Sequence, residues 1–260
     1  MPSIPGFWDI GPHEPLPVES TWCEFLRKFG GKVVEDLVPE PRSFENADFL
    51  FVDEQVVAEL KVVETEFSSS DAFFAKFDQL MSRVVEEDPS WRPELFGGSG
   101  VYPKWFYPEF VRIFRPPISR ILKKANRQIR DTKVHFKIAN RSGVLIFVND
   151  GFTSLGPEPI RALACSLLKD SYSSIDCFLY LTVNRYIEFP DSDTPRLLWA
   201  PVYSDRAADS LVDFIDNLGR GWFDHLQTII GPFTDREETP VSEASLSGSR
   251  AIIIPKTNGG

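Results

Sequence analysis

Asp48, Glu59 and Lys61 are residue types that together can hold a divalent cation and manage an attacking water. They lie at the ends of ADFLFVDEQVVAELK, residues 47–61, where two apolar arms, 48–52 and 55–63, flank Asp53-Glu54. Arms rich in Phe, Val and Leu around a short polar pair predict a β-hairpin. Centred on that pair, the hairpin sets Val52 opposite Gln55, Leu50 opposite Val57 and Asp48 opposite Glu59. Lys61 follows at period two, so it shares the face of Glu59. Two carboxylates directly opposite in a sheet repel, and a shared divalent cation is one way to relieve that cost.

The same three residues also fit a solvated strand face on which Glu59 and Lys61 pair in water. Their company favours a site. Leu50, Val52, Val57 and Val63 share their face, and Phe49, Phe51, Val56, Ala58, Leu60 and Val62 form the other. A strand apolar on both faces predicts burial, and buried charges need partners.

The elements that must position this hairpin are legible on both sides. A helix over 19–29 places Trp22, Phe25, Leu26 and Phe29 on one stripe, ends at Gly30-Gly31, and carries Glu19 at the stripe's edge. Glu19 is thus a further candidate acid, or a first-turn acid favoured by the helix dipole. Residues 32–38 read as a strand, and 70–86 as a helix capped by serine. Residues 88–117 hold six prolines, GGSG and a run of aromatics, and read as a long loop: a lid, a partner or homodimer surface, or a segment packing its own aromatics.

A helix over 118–132 buries Ile118, Ile121, Leu122, Ala125 and Ile129, with Gln128 near the border. Arg120, Lys123, Lys124, Arg127 and Arg130 then face solvent. Between Arg112 and Arg141 ten Lys or Arg stand against Asp131 alone, in a chain of net charge -10. A charge run is often just a solvated face. Positive charge concentrated on one helix of an acidic protein is also the pattern of a phosphate contact.

Gly143–Val148 reads as a buried central strand. A helix over 157–169, strands over 175–183 and 197–203 joined by a polar turn near 191–193, and a helix over 206–218 ended by Gly219 complete the pattern. Residues 1–18, with five prolines, read as an extended arm. Residues 19–233 read as one domain with an insertion at about 66–117, and 234–260 as largely a tail.

With 260 residues and 42% hydrophobic content the chain can bury a full core. Cys23, Cys165 and Cys177 are odd in number and widely spaced, which suits a reducing, cytoplasmic setting and neither a disulfide framework nor a zinc site. His13, His135 and His225 are too scattered to signal a histidine-centred site. No apolar run approaches the roughly 18 residues of a membrane span, so no membrane partner is expected.

A first helix with an acid, a strand, a hairpin bearing Asp then Glu-x-Lys, and a basic helix leading to a buried strand resembles the PD-(D/E)XK nuclease superfamily, over residues 19–63 and 118–150. That resemblance implies an α/β fold, with a central mixed sheet flanked by helices in a restriction-endonuclease-like core. It further implies a divalent-metal-dependent nuclease acting on DNA. Asp48 and Glu59 would bind Mg2+ or Mn2+, Lys61 would assist the water, and Glu19 and Gln128 match the superfamily's helix acid and helix glutamine. Arg120, Lys123, Lys124, Arg127 and Arg130 would meet the nucleic acid. The proline that commonly precedes the aspartate is absent, since Asn46-Ala47 precede Asp48, and an extra helix and the aromatic segment separate Lys61 from the basic helix. Two alternatives remain open: a nuclease-like fold that no longer cuts and serves as a nucleic-acid or protein binding module, and an unrelated α/β protein whose basic helix binds an acidic protein.

Overall fold

A computed structural model describes residues 13–39, 44–93, 100–138, 140–190, 192–239 and 250–253. Its strands are β1 (Lys32–Val33), β2 (Phe49–Phe51), β3 (Val56–Val63), β4 (Ser142–Asn149), β5 (Cys177–Leu181), β6 (Arg185–Phe189), β7 (Ser192–Arg196), β8 (Trp199–Tyr203) and β9 (Arg250–Ile253). Its helices are α1 (Val18–Phe29), α2 (Asp71–Glu87), α3 (Phe106–Ile113), α4 (Arg115–His135), α5 (Pro157–Asp170) and α6 (Asp209–Ile230).

Six strands form one mixed sheet in the order β1-β2-β3-β4-β5-β8. The first three pair antiparallel, β3-β4 and β4-β5 pair parallel, and β8 returns antiparallel to β5. Parallel neighbours require crossovers: α2, α3 and α4 connect β3 to β4, and α5 connects β4 to β5. The expected class, a mixed sheet flanked by helices, is what the chain forms.

Helices cover both faces, which is why the central strands read as continuous apolar runs. On one face Leu50, Val57, Leu145 and Phe147 meet Phe114, Ile118, Leu122, Ala125 and Ile129 from α4 and its start, and Ile160, Ala164 and Leu167 of α5. On the other, Phe49, Phe51, Ala58, Leu60, Val144 and Ile146 meet Trp22, Phe25 and Leu26 of α1 and Phe214, Ile215 and Trp222 of α6. Trp22 and Trp222 stack with centroids 4.3 Å apart and fasten those two helices together. No helix of the described residues is long and apolar enough to cross a membrane.

Several expected elements differ. The strand expected over 32–38 stops at Val33 and turns as a 3-10 helix over Val34–Leu37. Val34 donates its amide to the Asp48 carbonyl at 2.8 Å, and Glu35, Asp36 and Leu37 are exposed, so nothing draws them onto the sheet. Residues 106–117, expected within a loop, are helical. Pro108 sits in the first turn of α3 and Pro116 and Pro117 open α4, positions where proline's missing N–H costs nothing.

The aromatic segment before them packs on α2 and itself. Trp91 donates to the Val101 carbonyl at 2.9 Å, and Tyr102 stacks on Phe106 at 4.0 Å. The expected helix over 206–218 extends to Ile230 and runs through Gly219, whose missing Cβ makes room for the Trp199 ring: a Cβ there would lie 2.8 Å from it. A second sheet, β7-β6-β9, was not expected. β6 and β7 carry charges, with Pro195 in the edge strand β7, and β9 is a short apolar stretch within the expected tail. Residues 1–12 of the arm and most of the expected tail lie outside the described residues. The Leu16 backbone donates its N–H to Asn184 Oδ1 at 2.7 Å and accepts at its carbonyl from Asn184 Nδ2 at 2.9 Å.

The entry to β4 is the tightest point of the sheet. A Cβ on Gly143 would lie 1.8 Å from the Ser174 carbonyl oxygen, and backbone cannot step aside as a flexible side chain can. Gly143→Ala is expected to lower unfolding free energy by about 3 kcal/mol in urea denaturation. A loss of a few tenths would contradict this packing.

Candidate active site

The hairpin register is the one the sequence predicts. Leu50 pairs with Val57, Phe49 with Ala58 and Phe51 with Val56, so Asp48 falls opposite Glu59 one step beyond the last paired residues. There the Asp48 side chain continues the ladder by accepting the Leu60 amide at 2.7 Å. This bond fixes the carboxylate beside β3, and it uses an N–H that would otherwise be orphaned. The turn over 52–55 is closed with Gln55 at φ 59°, and Val52 is exposed in it.

Glu59 lies in the middle of β3, between β2 and β4, with Leu145 as its β4 neighbour. It is fully buried. Lys61, two residues on and beside Phe147, forms an ion pair with Glu59 Oε1. Glu59 Oε2 is buried and receives no hydrogen bond. Burial, and then the Asp48 charge, push the Glu59 carboxyl up to about 8. Burial also raises Asp48, against the Leu60 amide and Lys61, which favour its ionised form.

Two ionised carboxylates only accept hydrogen bonds. A proton on Glu59 makes it the donor to Asp48, and this is the sense in which the pair is hydrogen-bonded. The arrangement therefore wants a positive charge between the acids. A proton satisfies it at low pH, and the free, buried Oε2 and the all-oxygen donor set also fit a hard divalent ion. Asp48 and Glu59 would hold such an ion. Among the described residues no group of three His, Cys, Asp or Glu converges on a metal position.

The structure brings Asp48, Glu59 and Lys61 together and does not join Glu19 to them. Glu19 is exposed in the first turn of α1, and its charge reaches the half-buried Cys23, which Asp48 also reaches. It remains a first-turn acid. Gln128 of α4 is buried, and its Nε2 donates to the Asn46 carbonyl at 3.0 Å while its Oε1 is unpartnered. Its observed contact positions the strand that carries Asp48.

Thr132, one turn further along α4, does the same and was missed. Its fully buried hydroxyl accepts the Ala47 amide at 2.7 Å. The signal for it is its i+4 spacing from Gln128 on the same border of the helix.

Arg120, Lys123, Lys124, Arg127 and Arg130 are all exposed on α4, as expected. Arg127 pairs with Glu45 at 2.6 Å and Arg130 with Asp131 at 2.9 Å. Lys133, counted in the basic run, instead turns inward and donates to the Ser174 carbonyl at 3.2 Å. No protein-family model, curated protein or solved structure matches the chain.

The raised Glu59 carboxyl gives the fold a pH dependence of definite sign. Its folded value, about 8, stands above the ordinary 4.5. In that window the unfolded chain gives up the proton first, so stability falls as pH rises and levels off above it. Glu59→Gln removes the titration. In urea melts the variant is expected to gain on the parent protein steadily from about pH 5 to about pH 8, and a difference constant with pH would contradict a protonated, buried Glu59.

Proposed function

We propose that this protein is a divalent-metal-dependent nuclease that hydrolyses phosphodiester bonds of DNA, built on a restriction-endonuclease-like core of the PD-(D/E)XK type. The observation that carries the reading is the cross-strand Asp48–Glu59 pair with Lys61 on the same face. A strand meander of β1 to β3, followed by a crossover through α4 to a parallel β4, supports it. The exposed cations of α4 supply a surface for backbone phosphates, contacts that position a duplex without reading its sequence. Three free cysteines suit a cytoplasmic setting.

Hydrolysis forms a bond from water oxygen to phosphorus and breaks the bond from phosphorus to a sugar oxygen. A Mg2+ or Mn2+ ion at Asp48 and Glu59 would supply Lewis acidity and a bound water of lowered pKa. The chain's own part begins with Glu59, which must give up its proton and loosen its hold on Lys61. Lys61, anchored on rigid β3 and about one fifth exposed at its side chain, then has an ammonium free to orient the water and to meet charge developing on phosphate oxygens. The Leu60 amide favours the ionised form of Asp48 against its burial and keeps the carboxylate aimed. The absence of a third metal-ligating side chain among the described residues favours a second reading, a nucleic-acid-binding module of the same fold that does not cut.

Purified protein is expected to nick supercoiled DNA with Mg2+ or Mn2+, and Glu59→Gln and Lys61→Ala are each expected to slow nicking by about 100-fold or more. Duplex affinity, measured by anisotropy, should be unchanged in both. Nicking that survives both substitutions removes the site assignment. Duplex binding with no nicking under any divalent ion selects the non-cutting module.

A further inference from the structure

The segment leading into Asp48 lies along α4 through four consecutive residues. Phe44 stacks on His135 with centroids 4.5 Å apart, Glu45 pairs with Arg127 at 2.6 Å, Gln128 holds the Asn46 carbonyl, and Thr132 holds the Ala47 amide. Three of these contacts pin backbone or a ring. The fourth is a carboxylate reaching across solvent to a cation that would otherwise be open. Glu45 and Arg127 side chains are each about half exposed, 49% and 50%.

Glu45 meets the Arg127 cation directly. Its carboxyl is held below the ordinary range first by the Arg127 hydrogen bond, with Lys124 of α4 and Lys61 of the candidate site adding to it. A carboxylate hydrogen-bonded to the Arg127 guanidinium, one helical turn from Lys124 on α4, offers that arginine the same charge and the same kind of acceptor oxygen as a backbone phosphate. Arginine binds carboxylate and phosphate with the same fork geometry, so one can replace the other. Because the backbone on both sides of Glu45 is anchored, rotation of one side chain is enough to vacate the place.

We propose that Glu45 fills a phosphodiester subsite at Arg127, and that DNA binds by displacing it, which makes Glu45 a determinant of duplex affinity. The inference rests on the reading of α4 as the phosphate-facing surface. Displacing the internal carboxylate costs no more than an exposed ion pair contributes, about two- to fivefold in affinity.

The experiment is fluorescence anisotropy of a short fluorescein-labelled DNA duplex titrated with protein in EDTA, at several salt concentrations. Glu45→Gln is expected to tighten binding by about two- to fivefold, the range of an exposed ion pair, and to steepen the log K against log salt slope by about 0.9. In an Arg127→Ala background the gain should vanish. Glu24→Gln, which neutralises an acid paired with Lys28 on α1, should leave affinity unchanged.

No tightening in Glu45→Gln overturns the proposal. So does a gain that persists without Arg127, an equal gain from Glu24→Gln, or no duplex binding by any of the proteins. These readouts need no metal and no turnover. A protein that nicks DNA but shows no Glu45 effect loses this inference alone, and one that shows the effect but never nicks keeps it and loses the nuclease reading.

Discussion

The burial of the Glu59 carboxylate at the centre of the sheet is the constraint on which the rest of the site depends. An ionised carboxylate away from water costs several kcal/mol unless it is paired and hydrogen-bonded. Here one oxygen has Lys61, the other has no donor, and Asp48 stands across the strand as a second acid. Two acids and one lysine leave one negative charge in excess when all are ionised. That excess charge favours a cation or a proton between the acids, and the proposed chemistry follows from which of the two is held. A strand buried on both faces intensifies this, because neither side offers water to spread the charge.

The helix α4 couples that constraint to the surface. Its inner border holds the 46–47 backbone through Gln128 and Thr132, its apolar stripe packs on β3 and β4, and its outer face carries the exposed cations. One rigid element thus sets where Asp48 stands and where a phosphate backbone would lie. Fixing both on one helix keeps their separation constant, which a mobile loop would not. The α1 and α6 layer on the opposite face, locked by the Trp22–Trp222 stack, supplies the backing against which β2 and β3 pack.

Much of this was legible because the signals were local. Centring the hairpin on Asp53-Glu54 determined the register, and the all-apolar arms predicted two covered faces. The 3.6-residue stripe of Ile118, Leu122, Ala125 and Ile129 placed the cations outside. What was not legible depended on context. Pro116 and Pro117 read as breakers, although at a helix start they cost nothing. Gly219 read as a stop, although the Trp199 ring makes it a spacer. Thr132 carried only its i+4 spacing from Gln128, and Glu45 no periodic signal at all, since a hydroxyl and a surface acid acquire roles only through the segment that α4 happens to cross. The small sheet of β6, β7 and β9 joins residues more than 60 positions apart, Arg185 and Ile253 among them, and short polar strands do not announce such partners.

The central claim is that Asp48 and Glu59 share a cation. A crystal structure of the protein grown near pH 8 with millimolar Mn2+, with data collected at the manganese absorption edge, tests it directly. An anomalous peak between the two carboxylates, about 2.0–2.2 Å from an oxygen of each as for a hard divalent ion, with Lys61 released from Glu59, is the predicted result. An intact Lys61–Glu59 pair with no anomalous signal between the acids would contradict it.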